Sequence, residues 1–144
     1  MSEAKEYLKG VKLLDAQINA RLSEKEDLED KLKHITPNLS FDKGSGGGGS
    51  QDKLGGMVVR IVDLERAIDA DIDRFVDLKN EALALLDKMN NPTYMTILHR
   101  RYFQHNTFEK IASDMGYSWR WICKLHGRAL QEFEKILHEY RKRT

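Results

Sequence analysis

Between residues 2 and 35, apolar side chains recur at Tyr7, Val11, Leu14, Ile18, Leu28, Leu32 and Ile35, three or four positions apart. That is the repeat of a helix with one buried stripe. Ser2 is placed to cap its start. The register weakens at Arg21 and Lys25, where Leu22 partly takes over, and Thr36-Pro37 is expected to end the helix, since proline cannot continue a helix interior. A second long helix is predicted over 57–90, where Val58, Ile61, Ile68, Ile72, Phe75, Ala82, Leu86 and Met89 keep the same spacing. Here Val59, Val62, Leu64, Val76, Leu78, Leu83 and Leu85 widen the stripe beyond one seam. At 1.5 Å per residue each helix would run about 50 Å. Two such helices with a flexible connection predict a long antiparallel, coiled-coil-like hairpin.

The connection, residues 36–56, reads "TPNLSFDKGSGGGGSQDKLGG". Glycine and serine offer no side chains to pack, so a flexible tether is expected, and "GSGGGGS" also resembles an engineered spacer. Three shorter helices follow. "NNPTYMTILHRRYF" opens with Asn91 as cap and Pro92 in the first turn; "NTFEKIASDMG" is a short fourth; "SWRWICKLHGRALQEFEKILHEYRKR" is a longer fifth. The sequence therefore predicts an all-α protein with a hairpin over 1–90 and a second domain over 91–144.

The last two helices have the spacing of a helix-turn-helix. Ile111 and Ala112 lie on the inner face of the first, and the small Ala112 allows the second to cross closely. Gly116 supplies the positive φ of the turn, and Tyr117 is expected to plug the core behind it. Ile122 and Leu125 project back toward Ile111 and Met115. On the longer helix Ile122, Leu125, Ala129 and Phe133 share one face, while Arg120, Lys124, Gly127 and Gln131 lie opposite.

Charge sharpens this picture. Residues 90–144 carry ten Lys/Arg against five Asp/Glu, and the remainder 14 against 18. A basic third joined to an acidic remainder suits a chain that meets a polyanion at one end. Double-stranded DNA is the expected partner. Arg120 and Lys124 are candidates for base contact, since both can donate to guanine acceptors in the major groove. Gly127 leaves room there for close approach. Trp119 and Trp121 fall on the two flanks, where each can close the core edge or touch DNA. Trp119, near the helix start, joins the base-contact candidates. Phosphate-contact candidates are Arg100, Arg101, Thr107, Ser118, Arg128, Arg141, Lys142 and Arg143, with Thr107 and Ser118 also expected to cap their helices. The wide stripe of the hairpin must bury against something, and Val58, Ile61, Val62, Ile68, Ile72 and Phe75 are expected to meet another copy in a dimer or tetramer.

The run "ILHRRYFQHNTFEKIASDMGYSWRWICKLHGRALQEFEKIL" resembles region four of bacterial sigma factors through Thr107, Glu109, Ile111, Gly116, Ile122, Ala129 and Leu130. It departs from that pattern at Trp119, Trp121 and Cys123, where sigma factors carry charge. With the helical hairpin, "IVDLE" and "HGRALQ", the chain also resembles a family of small Gram-positive phage and prophage proteins, related to the RinA/ArpU type of late-operon transcription activators. The resemblance implies a DNA-binding regulator that contacts bacterial RNA polymerase. Two alternatives stand beside it: a small terminase subunit that recognises viral DNA for packaging, and a protein-interaction module with a vestigial helix-turn-helix.

Other chemistry is not expected. The single cysteine, Cys123, rules out an internal disulfide framework and fits a reducing compartment. "MSEAKEYLKG" lacks the regions of a secretory signal, and no apolar run suits a bilayer, so the bacterial host cytoplasm is the expected location. Cys123 and His126 have ligand spacing without a partner pair, so no metal or other cofactor is expected. His99 and His105 read as ordinary polar residues. Asp63, Asp69, Asp73 and Asp77 read as a solvated face. With no phosphate loop, nucleophile elbow or paired acids, an enzyme is not expected.

Overall fold

Every helix start that the sequence marks with a small polar residue is a helix start in the structure. The computed structural model describes residues 2–40 and 48–144, with side chains described for 2–35 and 53–144. Five helices account for nearly all of these: α1 (Glu3–Ser40), α2 (Gly48–Leu86), α3 (Pro92–Tyr102), α4 (Phe108–Met115) and α5 (Trp119–Arg143). The described residues contain no strand, and no helix among them is long and apolar enough to cross a membrane. Ser2 Oγ accepts the Lys5 N–H at 3.0 Å, and Asn91 Oδ1 accepts those of Thr93 (3.0 Å) and Tyr94 (3.2 Å).

Two expected boundaries move. α1 does not stop at Thr36-Pro37 but continues to Ser40. Pro37 falls in the last turn, where its missing N–H forfeits one ladder bond and little helix remains for a kink to displace. α2 begins at Gly48, well before residue 57. Once a helix is nucleated each added residue gains a bond, and glycine weakens propagation by only about 1 kcal/mol relative to alanine. The stretch 36–56, expected to be a flexible linker, is thus helical at both ends. Its middle, 41–47, lies outside the described residues.

The chain divides into two compact units, Met1–Asp15 with Phe75–Thr144, and Ala16–Arg74. In the second, Ile18 of α1 and Leu64 and Ile68 of α2 are buried. Arg21 bonds Asp71 and reaches the Ala67 carbonyl at 3.4 Å, Lys25 meets Glu65 at 3.3 Å and Arg60 meets Glu24 at 2.8 Å. Asp71 is only 1% exposed, clasped by Arg21 and Arg74. Arg21, where the apolar register weakens, therefore fills its place in the stripe with half of an ion pair. Ile68, expected on a face closed by another copy, is instead 5% exposed within the single chain. Its position, three residues before Asp71 and four after Leu64, belongs to the same inner row. Val58, Val62 and Ile72 are exposed, and Ile61 is half-buried.

In the first unit two apolar clusters form. One joins Ala4 and Leu8 of α1, Leu85 and Leu86 at the end of α2, Met89 just after it, Leu98 and Tyr102 of α3, and Ala129, Leu130, Phe133 and Leu137 of α5. The sequence suggests a boundary at residue 90, yet α1's first turns and α2's last turns share this core with α3 and α5. Polar contacts reinforce it. The Tyr7 and Tyr140 hydroxyls both donate to the Glu81 carboxylate, at 2.6 and 3.1 Å. Burial, then the Glu81 bond, pushes the Tyr7 phenol far above its ordinary range. The Glu3 N–H donates to Glu134 at 2.9 Å, while His138 and Arg141 pair with the Glu3 carboxylate. Phe75, expected in an oligomer contact, is half-buried beneath the Lys79 ammonium.

Candidate functional site

The second cluster holds the corner between α4 and α5. Thr107 Oγ caps α4 by accepting the Lys110 N–H at 3.1 Å. The helix ends at Gly116, whose φ of 74° is left-handed, a region that glycine enters without a Cβ penalty. The Tyr117 N–H turns back to the Ala112 carbonyl at 2.9 Å, satisfying an end carbonyl that the helix leaves free. Ser118 Oγ then caps α5 by accepting the Trp121 N–H at 3.1 Å. Inside the corner Ile97, Ile111, Ala112, Ile122 and Leu125 are buried together, with Tyr94, Phe108 and Met115 at the edge.

His126 fills the gap between the two clusters. Its Nε2 lies 2.8 Å from the Tyr102 hydroxyl in a hydrogen bond, and the Phe108 ring meets it edge-on at 4.9 Å. Burial, with Arg101 and Lys5 nearby, pulls the imidazole down to about 4, so it is neutral at pH 7. Burial likewise pushes the Tyr102 phenol up to about 12. The group that shares ligand spacing with Cys123 is thus a satisfied core histidine, and among the described residues no three His, Cys, Asp or Glu side chains gather as a metal set. His105, placed with the ordinary polar residues, has a φ of 57° and bonds Asp15 of α1, tying the α3–α4 loop down.

The opposite side of α5 is open. Arg120, Lys124, Gly127, Arg128 and Gln131 are all exposed, and the ion pairs of the described residues include none of Arg120, Lys124 or Arg128. Trp119 is 54% exposed and Trp121 38%, the latter beneath the Arg128 guanidinium at 5.5 Å. Tyr117 corrects an expectation: it is 41% exposed and plugs nothing. A residue at this place in the turn commonly packs on the side chain three residues before the helix cap. Here that side chain is the single methyl of the buried Ala112, and Phe108 and Tyr94 already close the core edge. Tyr117, Trp119 and Trp121 are each exposed.

The phosphate-contact candidates separate into three groups. Arg100 pairs with Asp114 of α4, and this bond holds the Asp114 carboxyl below its usual range. Arg101 donates to the Asn106 carbonyl at 3.2 Å and lies over the Phe108 ring at 4.1 Å. Arg141 pairs with Glu3 at 3.3 Å and sits over Tyr7. Each of these three arginines has a partner within the protein. Thr107 and Ser118 have their hydroxyls committed to caps. Lys142, Arg143 and Arg128 are exposed and outside any ion pair of the described residues. Comparison with protein-family models, curated proteins and solved structures finds no match.

Proposed function

We propose that α4 and α5 act as a helix-turn-helix, with α5 docking in the major groove of duplex DNA, and that the chain is a transcription regulator of the bacteriophage kind. The observation that supports this is the two-sided character of α5. Its inner face is core, whereas its outer face carries exposed Arg120, Lys124 and Arg128, which are in no ion pair among the described residues. Cations kept available on a rigid helix next to a tight turn suit a polyanion with readable base edges. In this reading Arg120 and Lys124 reach bases, and Arg128, Lys142 and Arg143 hold phosphates. α1 and α2 form the antiparallel hairpin. A second copy covers exposed Val58, Val62 and Ile72, so that a dimer presents two recognition helices to a two-part site. The hairpin is also the surface available to RNA polymerase.

The test is selection of the full chain on randomised duplex DNA, followed by titration at two salt concentrations. Affinity should fall steeply with salt as counterions are released. Arg120→Ala and Lys124→Ala should each cost about 1–3 kcal/mol of discrimination between selected and random duplex. Lys142→Ala should weaken both duplexes alike. Absence of binding at low salt, or an affinity indifferent to salt, would overturn the reading. Light scattering of the intact protein separates a regulator-sized dimer or tetramer from the ring of a packaging subunit.

A further inference from the structure

Gly127 stands inside α5, a helix of 25 residues, on its exposed side. Its backbone is ordinary helix; the glycine with a positive φ among the described residues is Gly116. A Cβ placed at 127 would meet nothing within 4 Å. Neither backbone conformation nor packing therefore calls for glycine here, and glycine weakens a helix interior relative to alanine. The fold alone would favour a side chain. What distinguishes the position is its surroundings. Lys124 precedes it by one turn and Arg120 by two, Gln131 follows by one, and Arg128 is adjacent, all exposed. The nearest carboxylate along that face, Glu134, is occupied by the Glu3 N–H.

We propose that Gly127 is where the main chain of α5 comes into van der Waals contact with the sugar–phosphate backbone of bound DNA, between Lys124 and Arg128. The inference rests on the DNA-binding reading and adds how α5 lies. Its first turns enter the groove, and the strand's ridge crosses the helix at the notch that the missing side chain leaves. Any side chain at 127 lifts the helix off the ridge and draws Arg120 and Lys124 out of reach of the bases. Gly10 provides an internal control: a Cβ there also meets nothing within 4 Å, but it lies on α1.

The experiment compares Gly127→Ala, Gly127→Leu and Gly10→Ala in the full chain, by thermal unfolding and by affinity for the duplex that the unchanged protein selects. Both alanine variants should raise Tm by about 4 °C. Gly127→Ala should bind about tenfold more weakly, on the scale of one mismatched base pair, and Gly127→Leu more weakly again. Gly10→Ala should bind unchanged. Binding by Gly127→Ala equal to the unchanged protein would overturn the contact while leaving the DNA reading standing. Equal losses for alanine and leucine would replace a contact with a requirement for helix flexibility. A fall in Tm for Gly127→Ala would show that the fold itself needs the glycine. If the unchanged protein binds no duplex, the DNA reading falls and this inference with it.

Discussion

The two compact units bury polar groups in different ways. Around α3, α4 and α5 the one buried imidazole, His126, is neutral, bonded to Tyr102 and enclosed by Phe108. In the layer between Ala16 and Arg74 the buried group is the Asp71 carboxylate, held by two arginines. The reason is the number of helices that meet. Several helices converging enclose a volume, so Ile97, Ile111, Ile122 and Phe133 reach 0% exposure and a neutral polar group can be surrounded. Two long helices enclose only a seam. One face of each stays outside, which leaves Val58, Val59, Val62 and Ile72 exposed. A long arginine can span that seam while its stem covers apolar surface.

The largest effect expected from breaking this contrast is in the apolar core. Phe133→Ala should cost about 3–5 kcal/mol in urea unfolding, because the cavity lies where α1, α2, α3 and α5 all contribute walls. Val59→Ala, at an exposed position of the seam, should stay within about 0.5 kcal/mol. A loss at Val59 that grows with protein concentration would show the seam's outer face covered by another copy.

The charged layer comes next. Arg21→Ala should cost about 3 kcal/mol, since it removes one partner of a buried carboxylate. The double change Arg21→Met with Asp71→Leu should recover most of that loss in thermal unfolding, because the buried carboxylate is removed together with its partner. If the double variant is as unstable as the single one, the ion pair contributes more than its own compensation, and register becomes its role.

The neutral histidine gives the pH arm. The unfolded imidazole protonates near 6.5 and the folded one near 4, so between these values the unfolded state holds the extra proton. The stabilisation is complete above pH 6.5 and is lost as pH falls toward 4, by up to about 3 kcal/mol. Urea unfolding across that range should show this slope, and His126→Gln should flatten it. The smallest effect is local. Ser118→Ala should cost about 1 kcal/mol through the lost cap of α5, read by the same unfolding measurement.

Local chemistry was legible along the chain. Asn91, Thr107 and Ser118 cap the helices they precede, and Gly116 takes the left-handed turn. The split of α5 into an inner row from Ile122 to Phe133 and an outer row of Arg120, Lys124 and Gly127 follows from its periodicity. These features depend on neighbours within a few residues, so the order of residues carries them. Pro37 misled because its effect depends on how much helix lies beyond it. Tyr117 misled because an apolar residue in a turn needs a large partner, and Ala112 is not one.

By itself, the sequence determined an all-helical chain, the points where its short helices begin, and which face of α5 carries cations. Only the tertiary structure decided that Asp71 is inside while Asp69 and Asp73 are outside, that Arg100, Arg101 and Arg141 are occupied, and that Ala4 and Leu8 share a core with Phe133. Helical periodicity sorts residues into faces within one element. Which face meets which is settled by burial and charge pairing between segments as distant as α1 and α5, and those energies have no local trace in the chain.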